Sequence, residues 1–172
     1  MKEKAKIKSV DYTKAFEAFE KDQGFGQPPW LRLAQREAMD SFRSLGFPTL
    51  KDEVWKYTDV RPIAQSFFEP NCQAPNGQLS KNKIDTVSFG MTDVNRLVFV
   101  DGVFSEKLSS IKELEGVLVS NFQSVLRTHP HILEQYFGKN ADFKEDAFVA
   151  LNTAFVYDGL ILHVPDDIEI EK

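Results

Sequence analysis

The chain has 172 residues, 42% of them hydrophobic and 12% aromatic, with 15 Phe against 2 Trp and 4 Tyr. A chain near this length buries roughly 70% of the surface its unfolded form exposes, so disorder is excluded for most of it. The net charge of −5 argues against nucleic acid, whose phosphates demand a Lys/Arg surplus on one face.

The lysines Lys2, Lys4, Lys6 and Lys8 are interrupted by Glu3 and lead into no apolar stretch, so they read as a solvated tail rather than a signal or transit peptide. Asp11 can cap a helix with apolar positions Tyr12, Ala15, Phe16 and Phe19, stopped by Gly24 and Gly26. Pro28 and Pro29 open a second helix. Its expected stripe is Trp30, Ala34, Ala38, Phe42 and Leu45, widened by Leu33, before Gly46 and Pro48 end it. Thr49 followed by Asp52 resembles a capping box and predicts a short third helix near Leu50. It would carry Val54, Trp55 and Tyr57 against its neighbour.

Pro70, Pro75, Gly77 and their polar neighbours make residues 69–83 a flexible connector, with a weak strand at Thr86–Phe89. After Asn95 the period becomes that of strands. Leu97–Val100 and Val103–Phe104 flank Asp101-Gly102, a strong hairpin signal because both turn residues must take positive φ. A short strand follows at Val117–Val119. Ser120 or Asn121 then caps a helix reaching Thr128, and Pro130 opens another that Gly138 closes. Residues 139–144 form a polar loop. A helix over 146–157 carries Phe148, Leu151 and Phe155 on one face, and Gly159 is expected in a left-handed cap. Leu160, Leu162 and Val164 then alternate with Ile161 and His163. Pro165-Asp166-Asp167 turns the chain into a last strand with Ile168 and Ile170 on one side.

The domain reading is therefore a helical region over 1–68, a polar connector over 69–95 and an α+β region over 96–172. Ending on a strand edge is unusual, because its unpaired backbone groups attract other chains. The expectation is the front part of a longer protein. No run approaches the roughly 20 apolar residues of a membrane span, and the single Cys72 suits a reducing cytoplasm.

Chemistry-bearing residues are few. Cys72 sits in EPNCQAPNG without a basic residue, histidine or second cysteine close by, and reads as an ordinary loop cysteine. His129 and His131 flank Pro130, which would splay their rings, and Glu134 is the nearest further ligand type. His163 alternates with aliphatics in a strand. Asn152 lies inside an apolar helical stripe and is expected to be a buried amide tying its helix to a neighbouring backbone. Asp166, Asp167, Glu169 and Glu171 read as solvated faces rather than an acid–base pair. GFGQPP at 24–29 lacks a P-loop's lysine and strand–loop–helix setting, and no nucleophile elbow occurs. From the residues alone this is an α+β domain without visible catalytic machinery. No catalytic, metal or cofactor-binding residue is assigned.

Four segments go further: GFPTLKDEVWKYTDV (46–60), RLVFVDGVFSE (96–106), HPHILEQYFGK (129–139) and DAFVALNTAFVYDGLILHVPDDIEIEK (146–172). In this order and spacing they resemble the N-terminal region of the SufD family, scaffold subunits of the cytoplasmic SUF iron–sulfur cluster assembly machinery. The related SufB subunits share the LNTAF-type stretch, but the GFPT…WKYT segment followed by the VFVDG hairpin fits SufD better. The resemblance implies a right-handed parallel β-helix beginning at Leu160–Glu171, pairing with SufB, and docking of the ATPase SufC through a C-terminal helical segment. It implies a non-enzymatic scaffold role, with no cofactor in this stretch. The iron–sulfur cluster, and any flavin, would belong to the assembled complex. The cysteine and histidine residues that handle clusters lie downstream in the family. Trp55, Lys56 and Tyr57 are expected as a packing anchor between the helical part and the rest. The alternative reading is an enzymatic or small-molecule-binding α+β domain with a pocket near Asn152 and His129.

Overall fold

Helix α1 (Thr13–Gln23) begins where the Asp11 carboxylate accepts from the backbone N–H (2.9 Å) and hydroxyl (2.6 Å) of Thr13. Its apolar positions Phe16 and Phe19 are buried, as is Tyr12 before it. Helix α2 (Pro29–Leu45) has proline in its first turn, where the missing N–H is no loss. It stops at Gly46, whose φ of 63° is one a side chain would resist. The computed structural model of the chain describes residues 9–24, 26–73, 79–88, 91 and 94–170. The chain divides into two units, Met1–Pro70 with Glu134–Val156, and Asn71–Leu133 with Tyr157–Lys172.

In the first unit α2 packs on α7 (Ala147–Ala154). Small residues make the close approach possible: Ala38, Ala150 and Ala154 have no exposed surface. The phenylalanines of the expected Phe148–Leu151–Phe155 face are half-buried at the two ends. Phe155 meets Tyr12, Phe16 and Phe19 at ring-centroid distances of 6.1, 5.7 and 5.4 Å, edge-on. Phe148 meets Phe47 at 5.7 Å and Trp55 at 5.2 Å. Such edge-on pairs add roughly 0.5–1.5 kcal/mol beyond their area. Asp146 caps α7 by accepting from the N–H groups of Phe148 (2.7 Å) and Val149 (3.0 Å), a cap worth about 1 kcal/mol.

The buried stripe of α2 is rotated from the one expected. Ala38 and Phe42 are inside, but Leu31, Gln35 and Met39 complete the face, while Leu33 is 58% exposed. A pattern search skips Gln35 because it is polar. The fold accepts it because its Nε2 donates to the Val156 carbonyl at 3.0 Å, so the buried amide is satisfied. Trp30 rests half-buried against Phe137. The Thr49–Asp52 box forms, with Asp52 Oδ2 accepting from Thr49 N (2.7 Å) and Oγ1 (3.0 Å). It starts a single 3-10 turn, Glu53–Trp55, and the four-residue α3 (Arg61–Ala64) follows.

The second unit holds α4 (Lys81–Val87), the hairpin β1 (Phe99–Val100) with β2 (Val103–Phe104), β3 (Leu118–Asn121), α5 (Phe122–Thr128) and β4 (Leu160–His163). Helix α6 (Pro130–Tyr136) belongs to it up to Leu133 and to the first unit from Glu134. The hairpin turns on Asp101 (φ 50°) and Gly102 (φ 83°), as the Asp-Gly pair required. Strands β3 and β4 pair antiparallel, with Leu118 opposite His163 and Asn121 opposite Leu160. Both sheets are two-stranded and antiparallel, and no parallel ladder occurs among the described residues. The fold is α+β.

Three local expectations are corrected. The strand placed at Thr86–Phe89 is instead the end of α4, with Phe89 outside the described residues. Its β-branched residues suggested extension, but the Ser80 side chain caps the helix and Arg96 clamps it by donating to Asp85 at 2.7 Å. Gly159 takes no positive φ, because α7 ends earlier, at Phe155, whose N–H reaches Leu151 and Thr153. Residues 168–170 join no strand. Ile168 instead lies close over Gly116, where an added Cβ would meet it at 3.3 Å. The rest of that expected strand, and the lysine-rich tail, lie outside the described residues. Among the described residues no helix is long and apolar enough to cross a membrane.

Candidate functional site

The segment after α7 organises the second unit through one carboxylate that the sequence reading did not single out. Asp158 Oδ2 accepts from the Phe104 N–H at 3.0 Å, joining the hairpin to β4. Both its oxygens accept from Asn121 Nδ2, at 3.0 and 3.1 Å, and Oδ1 accepts from Gln123 N (3.4 Å) and from Gly159 N (2.9 Å). Asn121 precedes α5 but makes no cap with its own side chain. Asp158 supplies the acceptor at that helix start instead, where a negative charge meets unpaired N–H groups and the positive end of the dipole. Beside it the Gln123 amide donates to the Tyr157 carbonyl at 2.6 Å. Burial pushes the Tyr157 phenol above its ordinary pKa, aided by Cys72 and Asp158. The only sequence signal for Asp158 was an acidic residue between a helix and a strand, in YDG.

Strand β4, thus anchored, presents apolar side chains outward. Leu160 and Leu162 are each 56% exposed, and Val164, Ile168 and Ile170 beyond them are exposed too. Leu162 stands directly opposite Val119, and opposed residues of an antiparallel pair share a face. An exposed apolar strand face is a candidate interaction surface.

The first unit carries a groove of about 450 Å³, floored by Met39, Phe42, Phe47 and Trp55 and open at Val54. Its rim brings together Asp11, Asp52, Glu53, Glu145 and Asp146 against Arg43. The hydroxyl and backbone N–H of Thr13 hold the Asp11 carboxyl below the usual carboxylate range. Of the expected anchor Trp55–Lys56–Tyr57, only Trp55 packs inward, on Phe148. Lys56 pairs with Glu53 and stands 5.1 Å above the Tyr57 ring, and Tyr57 is 89% exposed. A single 3-10 turn cannot bury side chains on all sides, so two of the three face solvent.

Trp55→Ala is therefore expected to lower stability by about 2 kcal/mol, the loss of a half-buried aromatic. Tyr57→Ala should change it by less than about 0.5 kcal/mol. Urea denaturation of both variants checks this, and equal losses would mean that Tyr57 packs after all.

Asn152 is not the buried amide expected: it is exposed on α7. The phenylalanines around it belong to opposite ends of the helix, so the apolar stripe passes it by. His129 and His131 are exposed with rings 6.2 Å apart, and His129 Nδ1 lies 2.8 Å from the Thr128 hydroxyl. The groove includes neither Asn152 nor His129. His163 is half-buried in β4, and Asp166, Asp167 and Glu169 are exposed. Among the described residues no group of three or more His, Cys, Asp or Glu could hold a metal ion.

Comparison with known proteins gives these surfaces a context. Residues 6–172 match the family model of the SufBD protein N-terminal region. An iron–sulfur cluster assembly SufBD family protein of Synechocystis sp. is 28% identical over 138 residues, covering 78% of this chain and 29% of that protein. The iron–sulfur cluster assembly protein SufD of Escherichia coli is 36% identical over 87 residues, 51% of this chain and 19% of that protein. A SufBD family protein of Porphyra purpurea is 24% identical over 153 residues, 87% of this chain and 29% of its own length. The chain spans less than a third of the length of these curated relatives. With the family model covering nearly all of it, this chain belongs to the SufBD family of iron–sulfur cluster assembly proteins and carries that family's N-terminal region.

Proposed function

We propose that the chain is the N-terminal part of a SufD-like scaffold subunit that works by protein–protein assembly with SufB-like and SufC-like partners in the cytoplasm. The observation that carries this reading is the match of residues 6–172 to the SufBD N-terminal region. The 36% identity to a protein named SufD favours SufD over SufB. In the longer subunit, β4 leads into a right-handed parallel β-helix, whose first coil covers the leucines that β4 turns outward. The exposed face of β4 supports that continuation, since each coil of such a solenoid buries its neighbour's apolar side. Iron–sulfur clusters are the cargo, handled by residues elsewhere in the subunit. The chain contributes shape and contacts rather than a reaction step.

Anaerobic co-purification of the full-length subunit with its SufB-like and SufC-like partners tests the reading. A stable three-component complex is expected, and failure to recover either partner would refute it. A thermal-shift screen with metals, nucleotides and flavins supplies a second check. Strong stabilisation of the isolated 172-residue chain by one of them would favour a small-molecule site instead.

A further inference from the structure

The groove of the first unit combines features that the assembly reading does not use. Its floor is apolar and largely buried: Met39, Phe42 and Phe47 each expose 6% or less of their surface. Val54, at its mouth, is 89% exposed, so an apolar side chain stands uncovered beside an apolar floor. The rim is acidic. Asp52 and Asp146 are occupied as acceptors for backbone and hydroxyl donors. Arg43 is already held by Asp40 at 2.8 Å, and Lys56 is held by Glu53. Glu145 makes no side-chain hydrogen bond among the described residues, and nor does its charge meet a salt bridge there.

These carboxylates come from three separated stretches of chain, at 11, 52–53 and 145–146. Among the described residues they do not converge as a metal-binding group would. A point cation therefore suits them poorly. What matches both the spread of charge and the apolar floor is an extended peptide, with Lys or Arg side chains spaced along it and an aliphatic or aromatic side chain between them. The volume of about 450 Å³ lies in the range of roughly 300–1,000 Å³ typical of ligand-sized sites. A second copy of the chain is a poor occupant, since each copy carries a net charge of −5 and like charges oppose docking.

We propose that the groove between Ser9–Tyr12, Phe47–Trp55 and Glu145–Ala147 docks a basic, apolar peptide segment of a partner protein. Its apolar side chain lies against Val54 and Trp55, and its cations face Glu53 and Glu145. This rests on the groove itself and not on the choice of a SufD-like subunit, so either reading can fail without the other.

Titration of the ¹⁵N-labelled chain with acetyl-Lys-Leu-Arg-Leu-Lys-amide tests it by NMR, with acetyl-Glu-Leu-Glu-Leu-Glu-amide as the control. The basic peptide should shift the Trp55 indole and Phe47 amide signals, and the acidic one should not. The affinity should fall as salt is raised, because exposed ion pairs are screened. The double variant Glu53→Lys with Glu145→Lys should weaken binding at least about tenfold, a difference of about 1.4 kcal/mol. If that variant does not fold, Glu145→Gln alone should weaken binding by a smaller but measurable factor. Shifts that are equal for both peptides, that fall away from the groove, or that persist unchanged in the charge variants would overturn the proposal. So would no shift at all, or shifts that grow with protein concentration alone, the mark of a second copy.

Discussion

Asp158→Ala is expected to destabilise the second unit by about 3 kcal/mol, because it removes one acceptor from several half-buried donors at once. Its carboxylate accepts from the backbone N–H groups of Phe104, Gln123 and Gly159 and from the Asn121 amide. Each donor left unsatisfied costs about 1–3 kcal/mol when shielded from water. The losses do not add, because the donors share one acceptor and partly rehydrate. In a protein of this size the change should lower the melting temperature by about 6–12 °C. Asp158→Asn keeps one oxygen but turns an NH₂ toward other donors, so it should rescue only part of the loss. Hydrogen exchange at the Phe104 and Gln123 amides gives a local readout, which matters because two units need not melt together. If both amides exchange at wild-type rates in Asp158→Ala, the hub role is wrong.

Ala150→Leu should have an effect of similar size for the opposite reason. Ala38, Ala150 and Ala154 are fully buried where α2 and α7 approach, and close packing leaves no room for three further carbons. Overpacking of this kind costs about 1–3 kcal/mol, through strained rotamers and backbone shifts. Two residues along the same helix, Asn152→Ala should be neutral or stabilising by up to about 0.5 kcal/mol, since Asn152 is exposed and alanine is the better helix former. Calorimetric or urea melts of the two variants separate the faces of α7. A large loss in Asn152→Ala with little in Ala150→Leu would reverse the assignment of its buried side.

The elements legible in the sequence were those written by local chemistry. Pro29 at a helix start, Gly46 at its end, Asp101-Gly102 in the hairpin and Pro130 at the first position of α6 each act within a few residues of themselves. The Thr49–Asp52 box behaved likewise, although it produced one 3-10 turn rather than a longer helix. Where the reading went astray, a distant partner had overridden local preference. The expected stripe of α2 left out Gln35, and the Val156 carbonyl admits it to the core. Thr86 and Val87 looked like a strand, and the Ser80 cap with Arg96 holds them helical. Asn152 looked buried because phenylalanines flank it, and those rings serve the two ends of α7 instead.

The candidate surfaces divide in the same way. The apolar alternation of Leu160 and Leu162 was plain in the sequence, but alternation alone does not say which side faces water. That is set by pairing with β3 and by the grip of Asp158. The acidic groove could not be read at all, since its carboxylates lie up to 135 positions apart, at Asp11 and Asp146.

By itself, then, the sequence determined the caps and turns written between near neighbours, the α+β class, the net charge of −5, and the motifs that resemble the SufD family. Only the tertiary structure decided that α7 packs on α2 through alanines, that Tyr57 faces solvent, that Asp158 ties together its unit, and that scattered acids meet over an aromatic floor. Caps, turns and periodicity act between neighbours and are written in consecutive residues. Burial, charge clustering and shared acceptors depend on which distant segments meet, and no short stretch of chain records that.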